Sequence, residues 1–201
     1  MKKVFVICFI LILTSCMVSC SGSGSAGSGS ADPGPGWKVY ETEGISFFVK
    51  TEWDVSVRDV PDNPFYSATF FNGDKNSNSS TIGMQLNVLL KEHLYVDDVN
   101  EYLKEYKDSF NDLKKDGVVL KQDEITIAGK KAIRIFQEAR YGEAFIPDDG
   151  RLGTVPDATK YTSLVFTDDH DRVYSFFFPE YDDTDNTPEI EKIISSIRFT
   201  G

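Results

Sequence analysis

The chain has 201 residues, of which 40% are hydrophobic, 26% charged and 13% aromatic, a globular composition that excludes a wholly disordered, collagen-like or coiled-coil polymer. Acids outnumber bases 32 to 21, a formal charge of −11, which argues against binding to the backbone of DNA or RNA. The three cysteines, Cys8, Cys16 and Cys20, all fall in the first twenty residues, so the remainder holds no disulfide framework and no cysteine metal site.

Lys2 and Lys3 precede an apolar run over residues 4–13. Ten residues are too few to span a bilayer as a helix, which takes about 20, and they fit the apolar region of an export signal. The run ends in Leu13-Thr14-Ser15-Cys16. That quartet resembles the bacterial lipobox, an aliphatic residue and two small residues before a cysteine. The resemblance implies cleavage after residue 15 and lipid attachment at Cys16. Met17-Val18-Ser19-Cys20 is the alternative, with Cys20 as the lipidated residue. Cleavage removes two of the 21 bases, leaving 19 against 32 acids. Membrane attachment then rests on acyl chains, each contributing about 0.8 kcal/mol per buried CH₂. The expected location is the cell membrane or outer membrane, with the domain on the extracytoplasmic side.

Residues 21–36 read SGSGSAGSGSADPGPG. They have almost nothing to bury. As a flexible linker of this length they reach roughly 20–24 Å. The expected organisation is therefore a signal over 1–15, a lipidated tether over 16–36 and one domain over 37–201.

Within the domain, residues 45–49 read as a strand and residues 53–57 as its partner. Residues 66–71 and 82–88 read as two more strands. The latter is expected half-buried, because Ile82, Met84, Leu86 and Val88 alternate with Gly83, Gln85 and Asn87. Asp98 and Glu101 open the one long helix in a capping-box-like pattern. Val99, Leu103, Tyr106, Phe110 and Leu113 then step along one helical face, and Gly117 closes it. Ala128-Gly129-Lys130 between two apolar runs signals a hairpin. Residues 161–166 and 173–178 are strands around Thr167-Asp168-Asp169-His170-Asp171-Arg172. Thr187 before Pro188 marks the start of a short closing helix carrying Ile190, Ile193, Ile194 and Ile197. About seven to eight strands joined by tight turns, with two main helices, predict an α+β fold: an antiparallel sheet flanked by helices.

Gly44-Ile45-Ser46-Phe47 followed by Trp53 resembles the opening of the PsbP-like superfamily (the PsbP/Mog type), although Lys50-Thr51-Glu52-Trp53 lacks the family's proline. Residues 124–132 are similar to that family's central hairpin, and residues 193–199 to its terminal helix and last strand. The resemblance implies an α/β/α sandwich. The family includes a photosystem extrinsic subunit, a Ran-binding protein and many bacterial lipoproteins, mostly partner-binding proteins rather than enzymes. By fold-level analogy it implies a non-catalytic domain that binds a protein partner at the envelope and needs no cofactor.

Candidate chemistry is sparse. His170 lies among three aspartates in a turn, read as a solvated loop because a metal site needs three or four converging ligands. His93 follows Glu92 at a strand end. No nucleophile elbow, zinc-protease or phosphate-loop motif occurs. The acids around the 173–178 strand form two groups separated by its length, roughly 20 Å or more. The second group, with Asp182, Asp183 and Asp185, is at most a weak calcium site and lacks the EF-hand pattern. Residues 142–159 exceed the ~12–15 residues common for loops and carry Phe145, Ile146, Leu152 and Val155. These four are the expected partner contacts. The alternative readings are an envelope hydrolase or metal-dependent enzyme, and a cation-binding module.

Overall fold

Side chains in a strand point alternately to its two faces, so a strand that alternates in polarity buries one face, as Ile45–Lys50 does, and one buried on both faces reads as a nearly continuous apolar run, as Val173–Tyr181 does. A computed structural model describes residues 32–59, 65–77, 80–94, 98–115, 118–138, 158–181 and 185–200. Within them the strands are β1 (Trp37–Thr42), β2 (Ile45–Lys50), β3 (Trp53–Asp59), β4 (Phe65–Asn72), β5 (Thr81–Leu89), β6 (Val119–Ile127), β7 (Lys130–Glu138), β8 (Ala158–Thr167), β9 (Val173–Tyr181) and β10 (Arg198–Phe199). Two α-helices, α1 (Val99–Lys115) and α2 (Thr187–Ser196), join them, with a short 3₁₀ turn at Lys91–His93. Pro33–Gly201 forms one compact unit.

The strands make two sheets. One has seven strands in the order β3-β4-β5-β9-β8-β7-β6, and the other has three, β1-β2-β10. All named pairs are antiparallel. The expected α+β class and the large antiparallel sheet are both present. The expected pairing of residues 45–49 with 53–57 is not. β2 pairs with β1 and β10, whereas β3 pairs with β4. Thr51 and Glu52 look like a hairpin loop, but they carry the chain from the small sheet to the large one. Thr51 N–H donates instead to the Gly36 carbonyl at 3.0 Å.

The core explains this arrangement. Ile45, Phe47 and Val49 of β2 and Ile190, Ile193, Ile194 and Ile197 of and after α2 bury against Phe70, Leu86, Leu164, Phe166 and Phe176 on one face of the large sheet. Each large apolar side chain buried in this way stabilises by roughly 1.5–3 kcal/mol. On the opposite face, Val99, Tyr102, Tyr106 and Phe110 of α1 pack on Ile133, Ile135, Val165 and Val173. One face of the large sheet thus carries α1, and the other carries α2 together with the small sheet. Burial on both faces is also why β5 departs from its expected half-exposure. Gln85 and Asn87 are buried like Met84, Leu86 and Val88 beside them.

Helix ends differ in detail. The Asp98 carboxylate accepts the Asn100 N–H at 2.7 Å, capping α1 as expected. At α2 the cap is Asn186, one residue before the expected Thr187, and Pro188 sits in the first turn. The Thr187 N–H donates to Asp185 at 3.0 Å.

Candidate functional site

The most developed polar constellation lies in the β8–β9 turn. Asp168 has its side chain only 3% exposed. Its Oδ1 accepts the backbone N–H of His170 at 2.8 Å and of Arg172 at 3.0 Å. Its Oδ2 accepts Arg172 Nε at 2.5 Å. The Tyr174 hydroxyl lies 3.0 Å from Oδ2 and 2.7 Å from the Glu43 carbonyl, and both are acceptors, so one proton is shared between them. Burial raises the Asp168 pKa, but the bonds from Arg172, His170 and Tyr174 outweigh it and hold the carboxyl below its ordinary value. Tyr174 is raised, first by burial and then by the neighbouring carboxylate.

This constellation joins the two sheets. Glu43 and Gly44 turn between β1 and β2 with φ of 42° and 78°. The Arg172 guanidinium occupies the space where a Cβ on residue 44 would stand. Lys91 reaches Asp171 at 2.6 Å, and Lys130 pairs with Asp169. The reading of this turn as solvated is corrected for Asp168, because four donors satisfy that carboxylate inside the protein. His170 is exposed and contributes its backbone N–H. The signal for the buried ion pair was an Asp and an Arg four residues apart in a turn, with a glycine elsewhere to receive the guanidinium.

A second charged site lies beside α2. Lys121, Asp123, Arg134, Phe136, Thr162, Thr187, Ile190 and Glu191 line a cleft of about 250 Å³, somewhat below the usual 300–1,000 Å³ of small-molecule pockets. Arg134 bridges Glu191 at 2.6 Å and Asp123 at 3.0 Å, while Lys121 meets Asp123 at 2.8 Å. Lys121 and then Arg134 lower the Asp123 pKa. A smaller cleft of about 80 Å³ lies between Trp53, Gly83, Tyr181 and the start of α2. A Cβ on residue 83 would approach the Trp53 ring to 2.7 Å, so glycine makes room for that ring.

The N-terminal edge of the domain is stitched down. Trp37 lies under Lys192 at 4.4 Å and Lys50 at 5.0 Å. Lys192 donates to the Pro33 carbonyl at 3.0 Å. Pro33 and Gly36, at the two ends of the last four residues of the expected tether, are therefore hydrogen-bonded to the fold.

Of the residues singled out from the sequence, Asp185 is exposed and its carboxylate accepts the Thr187 N–H at the start of α2. Asp182 and Asp183 lie outside the described residues, as do Cys16, Cys20, Phe145, Ile146, Leu152 and Val155. Among the described residues, no group of three or more His, Cys, Asp or Glu side chains converges to hold a metal. None of the described helices is long and apolar enough to cross a membrane. At the far end of β9, burial raises the Glu180 pKa, and this carboxyl sits cross-strand from Lys160.

No protein-family model matches the chain, and no curated protein matches it. Among solved structures it is similar to the cyanobacterial PsbP protein CyanoP of Synechocystis sp. PCC 6803, with a TM-score of 0.46 and 13% identity. That match covers 90% of this chain and 97% of the other.

Proposed function

We propose that this protein is a membrane-tethered, non-catalytic domain that supports a protein partner at the cell envelope. The observation that carries the reading is the order of the N-terminal segments. A lipobox-like Leu13-Thr14-Ser15-Cys16 is followed by a Gly/Ser tract, and that tract runs into Pro33 and Trp37, which are bonded to the domain. A lipid on Cys16 would hold the domain close to a bilayer through the residues that precede Pro33. Three of the polar groups with shifted pKa values support the same reading. Asp168, Tyr174 and Asp123 are engaged in bonds that join structural elements.

Metabolic labelling with a fatty acid, followed by membrane fractionation, tests the tether. The intact chain should take up label and sediment with membranes, and Cys16→Ser should be unlabelled and soluble. Label that persists in Cys16→Ser and vanishes in Cys20→Ser moves the anchor to the alternative cysteine. Absence of label from the intact chain ends the proposal. Proximity labelling from the anchored domain, compared with the soluble Cys16→Ser form, then identifies partners that depend on tethering.

A further inference from the structure

The cleft beside α2 carries polar groups that the fold itself leaves unused. Two cross-strand rows make its floor. Lys121, Phe136 and Thr162 stand abreast on β6, β7 and β8, and Asp123 and Arg134 stand in the next row. Ile190 and Glu191 of α2 form the facing wall. A guanidinium has five N–H donors, and the two ion pairs of Arg134 use one on Nη1 and one on Nη2. Among the described residues, no hydrogen bond engages the rest. Asp123 receives both of its bases on Oδ2, which leaves Oδ1 open. Thr162 is only 6% exposed, and its hydroxyl has no hydrogen-bond partner among the described residues. A hydroxyl so enclosed is costly to leave unpaired, and the cleft is what it faces. Phe136 is half-buried and belongs to neither apolar cluster of the core, so its ring is an apolar surface without a cover.

From these open groups we infer that the cleft binds a free α-amino acid with an apolar side chain of about leucine's size. The inference stands apart from the proposed tethering, since it uses only α2 and the strands beneath it. Charge selects the ligand. Two bases, Lys121 and Arg134, and two acids, Asp123 and Glu191, line the cleft, so their formal charges cancel. A phosphate or other simple anion would meet both acids, and a metal ion or simple amine would meet both bases. A zwitterion answers both signs. Its carboxylate accepts from the free N–H groups of Arg134 and from the Thr162 hydroxyl, and its ammonium donates to Asp123 Oδ1. Its side chain lies over Phe136 and Ile190 and removes their apolar surface from water. Glu191 is 53% exposed, and an exposed ion pair holds weakly, so it yields its place on Arg134 at little cost. Peptide bonds remove these charges or separate them, so the site distinguishes a free amino acid from a peptide. The volume of about 250 Å³ is small for a drug-sized molecule and suits one of amino-acid size.

An NMR titration of the full chain with four probes tests the site. The probes are L-leucine, L-leucinamide, which lacks the carboxylate, N-acetyl-L-leucine, which lacks the ammonium, and glycine, which lacks the side chain. L-Leucine should saturate with a Kd of about 1 mM or below and shift the amide signals of Arg134 and Thr162. Each of the other three should bind at least tenfold more weakly. Thr162→Val keeps the shape and removes the hydroxyl, and it should weaken L-leucine threefold or more. Asp123→Asn should weaken L-leucine tenfold or more, yet bind N-acetyl-L-leucine at least as well as the parent does, because that probe has no ammonium to lose. A merely structural defect would weaken both. Should Asp123→Asn fail to fold, Thr162→Val and the four probes decide. No saturation by L-leucine up to about 10 mM, leucinamide or N-acetyl-leucine binding as tightly as leucine, or leucine binding undiminished in a folded Asp123→Asn or Thr162→Val variant would overturn the inference.

Discussion

Two tight turns lie side by side at one end of the seven-stranded sheet, and they are held in opposite ways. Between β6 and β7, Ala128 and Gly129 reverse the chain with φ of 46° and 86°, the left-handed pair that suits a two-residue hairpin. Backbone geometry alone defines that turn. Between β8 and β9 the turn is longer, and Asp168 gathers four donors from it and from Tyr174. It reaches across to Glu43 and Gly44 of the small sheet. A short hairpin leaves no buried polar group to satisfy. The longer turn buries a carboxylate and part of a guanidinium, and each of these must find partners. Those partners become the joint between the two sheets.

The largest way to break this contrast is at Gly44. Its φ of 78° disfavours any other residue, and the Arg172 guanidinium fills the space a side chain needs. Gly44→Ala should lose about 5 kcal/mol in urea unfolding, from left-handed strain plus disruption of the buried ion pair. In an Arg172→Ala background the same change should cost only the strain, about 1–2 kcal/mol. Equal losses in the two backgrounds would show that the guanidinium is irrelevant.

Asp168→Asn comes next. Breaking a buried pair on one side costs about 3–5 kcal/mol, and the loss should sit in the lower part of that range because Arg172 keeps some solvent contact. A pH series adds a sign. The folded-state pKa of Asp168 is lowered, so its contribution is complete above the unfolded value of about 3.9 and fades as pH falls through the folded value. The stability difference between the parent and Asp168→Asn should be constant from pH 8 to 5 and shrink below about 4. A difference that instead grows on acidification contradicts the assignment.

Tyr174→Phe removes one shared proton and leaves the ring in the core. It should cost about 1–2 kcal/mol, the range for a buried hydrogen bond lost with its acceptors still inside. The smallest effect is expected at the backbone-defined turn, and it is favourable. Ala128 carries the left-handed conformation with a Cβ, so Ala128→Gly should stabilise by about 1 kcal/mol. For a domain of this size that is roughly 2–4 °C in Tm by calorimetry.

Much of the fold was legible because it is written in local period. The 3-4 spacing from Val99 to Leu113 gives α1, and Ala128-Gly129 gives the β6–β7 hairpin. Neither depends on distant residues. β1 is illegible in the sequence because its burial alternates poorly: Trp37, Val39 and Tyr40 are all half-buried, on an edge. The false pairing of β2 with β3 has a similar origin. Two strands separated by Thr51 and Glu52 are indistinguishable by local pattern from a hairpin, and only the distant β10 and α2 draw β2 away. The candidate site was less legible still. A turn with three aspartates looks solvated until the backbone at Glu43 and Gly44 arrives from elsewhere to cover Tyr174 and Arg172, which hold Asp168.

By itself, the sequence determined most of the strands and both helices, and the apolar face of α1, because periods of 2.0 and 3.6 are properties of neighbouring residues. Tertiary structure decided how those faces were shared between two sheets, and that Asp168 would be an interior anchor rather than a surface charge. The reason is physical. Arg172 and Tyr174 are local donors, but burial of the carboxylate they hold depends on the Glu43 carbonyl and the space left at Gly44, which lie more than a hundred residues away along the chain.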